Sequence, residues 1–251
     1  MQEGWAVIGA AVRGASHIRD GKPRQDAVGW WQGDGLLIAA CADGAGSAER
    51  SDEGSSMAVE AAIARARSVA ARGAPVAREA SVLVRQCMRA ARAGVRRVAA
   101  EANARPGAFA TTLILCVATD EAVCLAQIGD GVTCVRTLAG MSSPFRPQRG
   151  SYANETTFIT TGRRLPHTML ASYAASDVDG FCLSSDGLKL IITKDARTGE
   201  PFEPFFADVF GFASRGGRSE GLAAFLEKVE DRTDDDKSLV VAVRSNELSG
   251  G

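Results

Sequence analysis

Short apolar runs of strand length fall into two groups in this chain, parted by two long helical stretches, and that order excludes an alternating parallel α/β fold. The runs 5–12 and 35–42 are mostly apolar and read as strands buried on at least one face. Between them, the polar, Gly- and Pro-punctuated segment 13–26 reads as a loop carrying functional side chains. From about Asp52 to Ala71 and from about Val76 to Arg105, apolar residues recur at helical spacing in an Ala-, Arg-, Val- and Glu-rich background. A Gly73-Ala74-Pro75 break divides them, so they read as a pair of long antiparallel helices. After Pro106-Gly107 come β-branched runs at 109–118, 122–128 and 132–138, joined by Asp and Gly turns, which imply successive hairpins of an antiparallel sheet. Residues 141–175 are irregular, with one short strand expected around Phe158 to Thr161. A strand at 180–185, helices at 203–213 and 219–230, and a final strand at 238–243 complete an α+β pattern of sheets covered by segregated helices.

At 251 residues with 45% hydrophobic content, the chain is long enough for one sizeable core, read as a single domain over 1–245 with a polar tail at 246–251. A net charge of −1, from 29 basic and 30 acidic residues, gives no electrostatic reason to expect nucleic acid or a charged membrane as partner. The Arg-rich stretch from Arg85 to Arg105 reads as the solvated face of a helix. Most of the six cysteines lie inside apolar, strand-like runs without CxxC spacing and read as small buried hydrophobes. With no signal-peptide pattern, and no apolar run near the roughly 20 residues a bilayer span needs, a reducing, cytoplasmic setting is expected.

Four Asp-containing turns stand out: Ala42-Asp43-Gly44-Ala45-Gly46-Ser47, Ile128-Gly129-Asp130-Gly131, Leu183-Ser184-Ser185-Asp186-Gly187 and Thr233-Asp234-Asp235-Asp236-Lys237-Ser238. Three follow an apolar run and the fourth precedes one, so each can set a carboxylate at the end of a buried strand. Oxygen-only ligands gathered from distant segments suit Mg²⁺ or Mn²⁺, which prefer carboxylates, carbonyls and water over thiolate or imidazole. A Gly after the Asp lets the backbone turn so that its carbonyl can also serve. Taken singly, each turn is a common hairpin signal; four in one chain favour a metal-dependent enzyme.

In order, Pro23-Arg24-Gln25-Asp26-Ala27, Ala42-Asp43-Gly44-Ala45-Gly46-Ser47, Phe109-Ala110-Thr111-Thr112-Leu113, Ile128-Gly129-Asp130-Gly131, Leu183-Ser184-Ser185-Asp186-Gly187 and Asp235-Asp236-Lys237-Ser238-Leu239 resemble the successive motifs of the metal-dependent type 2C serine/threonine protein phosphatases, closest to the bacterial stand-alone branch. The resemblance runs from about residue 9 to 243. It implies a four-layer α-β-β-α sandwich, two central antiparallel sheets flanked by helix pairs. It implies Mn²⁺ or Mg²⁺ as cofactor: two ions bridged by Asp43, with the Gly44 carbonyl, Asp186 and Asp235 as further ligands and Asp26 holding water beside them. Asp130 would take a weaker third ion. The implied activity is hydrolysis of phosphoserine and phosphothreonine on protein substrates by direct attack of water held between the ions, with no covalent phosphoenzyme. A cognate Ser/Thr kinase is the natural partner.

Two departures from the family pattern stand out. Ala45 occupies the position where eukaryotic relatives carry a His thought to act as general acid. For the basic side chain that holds the substrate phosphate, His17, Arg19 and Arg24 lie in the right loop, with Arg24 and His17 the candidates. Thr111, Thr112, Ser184 and Ser185 read as structural hydroxyls, and His167 as a loop or substrate-flap residue. The competing readings are an inactive phosphoprotein-binding module of the same fold and a nucleotide-binding loop at Asp43 to Ser47. The first leaves repelling carboxylates without a purpose, and the second leaves the other Asp turns unexplained.

Overall fold

The computed structural model describes residues 4–72, 79–146, 156–229 and 233–245. The strands are β1 Trp5–Val12, β2 Asp26–Gly33, β3 Leu36–Asp43, β4 Leu113–Ala118, β5 Ala122–Ile128, β6 Val132–Thr137, β7 Gly140–Ser142, β8 Met169–Ala174, β9 Val178–Ser184, β10 Thr193–Asp195, β11 Glu200–Pro201 and β12 Lys237–Arg244. The α-helices are α1 Ala15–Arg19, α2 Ser51–Ala70, α3 Ala80–Glu101, α4 Lys189–Ile192, α5 Glu203–Ser214 and α6 Ser219–Lys228. One five-stranded sheet runs β1-β12-β9-β6-β7 and the other β2-β3-β4-β5-β8, with β10 and β11 forming a small ribbon apart. Every strand pairing in the two large sheets is antiparallel.

Alternation along the strands builds the layers. In β3, Leu37, Ala39 and Cys41 face the other sheet and meet Phe181, Leu183 and Val240. Leu36, Ile38, Ala40 and Ala42 face α2 and α3. The opposite sheet turns Cys134, Cys182, Leu239 and Val241 toward α5 and α6, where Phe206 and Phe210 fill the layer. Strands covered on both faces need apolar residues at every position, which is why the pattern reads as continuous runs. The result is the four-layer α-β-β-α sandwich expected from sequence. All six cysteines are buried and free.

Several local expectations are corrected. The run 132–138 does not extend the hairpin of β4 and β5: β6 crosses to the other sheet and pairs with β9. The crossing is made at Gly129, whose φ of +112° suits glycine. No strand forms at Phe158 to Thr161; a turn lies there, and Arg92 donates to the carbonyls of Ile159, Thr161 and Gly162. Arg92 is therefore buried, whereas Arg85, Arg89, Arg96 and Arg97 keep the solvated face expected of the stretch. Besides the short β7, β10 and β11, two longer strands were missing from the sequence reading. β2 joins β3 through a two-residue turn at Asp34-Gly35, both at positive φ, as a hairpin of this length requires. β8 pairs with β5 at the edge of the sheet. The expected Gly73-Ala74-Pro75 break, the start of its second helix and the tail 246–251 lie outside the described residues.

Candidate active site

The Asp turns converge on one end of the sandwich. Asp26 opens β2 and Asp43 closes β3, and the two are direct partners in the antiparallel register. Asp43 follows Cys41 by two residues, so its side chain belongs to the face turned toward the other sheet. Asp186 begins the turn after β9, and Asp235 lies two residues before β12. Asp130 occupies the turn where the chain crosses between sheets. Electrostatic coupling links them: Asp26, Asp186 and Asp235 all act on Asp43, and Asp130 acts on Asp186.

Backbone bonds fix this geometry. The Asp43 carbonyl accepts from Thr111 Oγ1 at 2.9 Å and from the Thr112 amide at 2.8 Å, while the Asp43 amide donates to Thr112 Oγ1 at 3.1 Å. These threonines are structural, as the sequence suggested. Gly44 donates to the Gln25 carbonyl at 3.1 Å and bridges to Thr111, tying the two sequence motifs side by side. Beneath the carboxylates, Cys41 Sγ and Ser238 Oγ meet at 3.2 Å across the sheets, and Ser184 Oγ donates to the Ser238 carbonyl at 2.9 Å. Gly187 permits the closest approach: a Cβ there would lie 1.9 Å from the Asp236 carbonyl oxygen, so the turn bearing Asp186 can seat against the segment bearing Asp235 only without a side chain.

Burial is the dominant electrostatic fact. It pushes Asp26 up to about 8, with Asp236 and Asp186 adding to the rise while the hydroxyls of Ser185 and Ser238 oppose it. Burial raises Asp43 well above the usual carboxylate range, followed by the charges of Asp26 and Asp186. Asp186 rises to about 6 through burial and Asp130. The side-chain contact between Asp43 and Asp186 holds the first up and the second down. Asp26 Oδ2 is buried with no hydrogen-bond partner among the described residues, and so is Gln25 Oε1. Among the described residues no three His, Cys, Asp or Glu side chains are drawn together into a cage for an ion.

Sequence reasoning missed the role of Asp236. It is buried, accepts from the Gly14 amide at 2.7 Å and from the amides of Gln25 and Asp26, and bonds His17 Nδ1 at 2.8 Å. This one carboxylate joins α1, the start of β2 and the start of β12. His17, a phosphate candidate by sequence, thus has Nδ1 engaged inside the fold. Arg24, the other candidate, is exposed, and its Nε and Nη1 donate to the carbonyls of Asp26 at 2.8 Å and Ala11 at 2.9 Å. Lys189 was also missed: its ammonium reaches the Asp130 carbonyl at 3.0 Å and lies 3.7 Å from Asp130 Oδ2. The Gly after Asp186 hinted at a tight turn, but nothing local announces a contact across 59 residues. His167 is exposed.

The model of the protein phosphatase 2C family matches residues 13–227. Serine/threonine-protein phosphatase 3 of Escherichia coli (strain K12) is 32% identical over 257 residues, covering 95% of this chain and 98% of that one. Serine/threonine phosphatase Stp1 from Staphylococcus aureus shares the fold with a TM-score of 0.65 at 15% identity, covering 97% of both chains. The catalytic domain of serine threonine protein phosphatase PstP, solved in complex with 2 manganese ions, does so with a TM-score of 0.60 at 18% identity, covering 96% of this chain and 99% of that one. Relatedness along nearly the whole length and a common architecture lead to one conclusion: this chain belongs to the protein phosphatase 2C family.

Proposed function

We propose that the acidic cluster at this end of the sandwich is the catalytic centre of this serine/threonine protein phosphatase, and that it works with two divalent cations, Mn²⁺ or Mg²⁺. The observation that carries the reading is Asp26 Oδ2, buried without a partner beside carboxylates that burial and mutual repulsion hold above their usual range. An oxygen-only donor set with surplus negative charge fits hard cations. Asp43, Asp186, Asp235 and the Gly44 carbonyl would hold the ions, with water completing the set beside Asp26. When bound, the ions lower the pKa of a water and offset charge on the phosphoryl oxygens.

The rest is done by the chain itself. Thr111 and Thr112 hold the Asp43 backbone and so fix where its carboxylate projects. Asp236 holds the Gln25 and Asp26 amides, which places Asp26 against Asp43. Asp26 is suited to orient a water by accepting its proton. Ala45, buried after the Asp-Gly turn, offers no proton, so the departing serine or threonine oxygen takes its proton from solvent or another group. The substrate is a phosphoserine or phosphothreonine monoester on a protein, set there by a cognate kinase. No described helix is long and apolar enough to cross a membrane, and we place the reaction in the cytoplasm.

The test is hydrolysis of a phosphothreonine peptide with Mn²⁺, Mg²⁺ or EDTA, alongside Asp43→Asn and Asp186→Asn. Turnover that requires metal and is lost in both variants is expected. Folded protein that binds the phosphopeptide but never turns it over, with any metal, overturns the reading in favour of a binding module.

A further inference from the structure

At the Asp130 corner of the acidic cluster, the basic side chain of Lys189 is directed at an acid. Lys189 is the first residue of α4, three residues beyond Asp186, and its stem passes to the crossing turn at Asp130. Its ammonium donates to the Asp130 carbonyl at 3.0 Å and lies 3.7 Å from Oδ2, with side-chain exposures of 16% for Lys189 and 19% for Asp130. Both partners are thus shielded enough for their charges to matter. An ammonium is a compact point charge on a flexible stem, and here it rests on both the carbonyl and the carboxylate that Asp130 can offer.

We propose that Lys189 is a resident cation that takes the Asp130 side of the acidic cluster, so that this chain holds two divalent ions and excludes a third. The inference rests on the two-ion reading above. A dication approaching Asp130 would meet a positive charge at contact distance and would find the carbonyl oxygen already engaged. The charge that another ion would supply at this corner is instead supplied by a side chain that needs no loading from solution. Removing that charge while keeping the stem, as in Lys189→Met, exposes Asp130 and turns a place that repels cations into one that attracts them.

The experiment counts ions rather than turnover: metal-stripped protein is titrated with Mn²⁺, and free Mn²⁺ is followed by electron paramagnetic resonance. The parent is expected to take up two ions per chain, and Lys189→Met three. Lys189→Gln is read in the same way should the Met variant fold poorly, Lys189→Arg stays at two, and Lys189→Met combined with Asp130→Asn returns to two. Uptake of the added ion at least about tenfold tighter than in the parent corresponds to about 1.4 kcal/mol. Two ions in both neutral variants, or three in the parent that fall to two with Asp130→Asn, overturn the proposal and leave the two cation sites standing. A parent that takes up none overturns the two-ion reading itself.

Discussion

Along β3 the inward positions Leu37, Ala39 and Cys41 are apolar and meet the opposite sheet, and the next inward position is Asp43. The same change occurs on β12, where Val240 and Ala242 belong to the inter-sheet core while Ser238, at the strand's other end, is a buried hydroxyl under the carboxylates. Backbone geometry is continuous through the change; only the chemistry of the side chains differs. In the middle, Phe181 is fully buried with its ring 5.4 Å from that of Trp5, and burial of this kind stabilises the fold. At the end, Asp26, Asp43 and Asp186 are held where burial works against their charge. One region supplies stability, and the other draws on it to hold groups that would separate if free to do so.

Breaking the middle has the largest consequence. Phe181→Ala is expected to cost about 3–5 kcal/mol, because it removes a large ring and leaves a void between two sheets that cannot close. Urea denaturation checks this, and a loss below about 1 kcal/mol would mean that the inter-sheet layer is not what holds the sandwich. Breaking the end has the opposite sign. Asp43→Asn is expected to abolish about 10³-fold of turnover, yet to stabilise the metal-free protein by about 1–3 kcal/mol by removing one repelling carboxylate. Equal or lower stability of the variant in EDTA would show that the acidic cluster is not strained.

The smallest and most diagnostic effect concerns pH. An acid whose pKa is higher folded than unfolded binds its proton more tightly in the native state, so stability falls as pH rises from the unfolded value to the folded one. Asp186 at about 6 and Asp26 at about 8, from an ordinary 3.8, define the range. In EDTA the melting temperature should therefore fall by several degrees between pH 5 and pH 8.5, and saturating Mn²⁺ should remove that slope. A flat or rising profile in EDTA would contradict the raised values.

Much of this was legible in the sequence because it is local. Strands covered on both faces announce themselves as continuous apolar runs, and Asp-Gly turns at their ends mark where the chain reverses. What was missed is either weakly patterned or distant. β2 carries Gly29, Trp30 and Gln32 on a sheet edge, where neither alternation nor continuity is clear. β8, also an edge strand, is half-exposed along its length and mixes Ser172 and Tyr173 among alanines. The run at Phe158 to Thr161 resembles a strand in composition, but Arg92 from a helix holds its carbonyls in a turn. His17 with Asp236, and Lys189 with Asp130, are pairs that only the folded chain brings together. Local pattern marked the Asp turns, the family resemblance added Asp26 and singled out Asp235, and neither pointed to the residues that constrain them.

The pairing of β1 with β12, in register from Trp5↔Arg244 to Val12↔Lys237, has a consequence for the protein's birth on the ribosome. Asp26 and Asp43 are synthesised early, but Asp235 and the strand that seats it come some two hundred residues later. Until that strand clears the exit tunnel, β1 and β9 each lack their shared neighbour, and the apolar layer between the sheets stays open on that side. A nascent chain thus carries the early Asp turns before the sheet beside them is complete. That sheet is complete only when β12 lies between β1 and β9 and brings Asp235 to the end of the sandwich where Asp26 and Asp43 already stand.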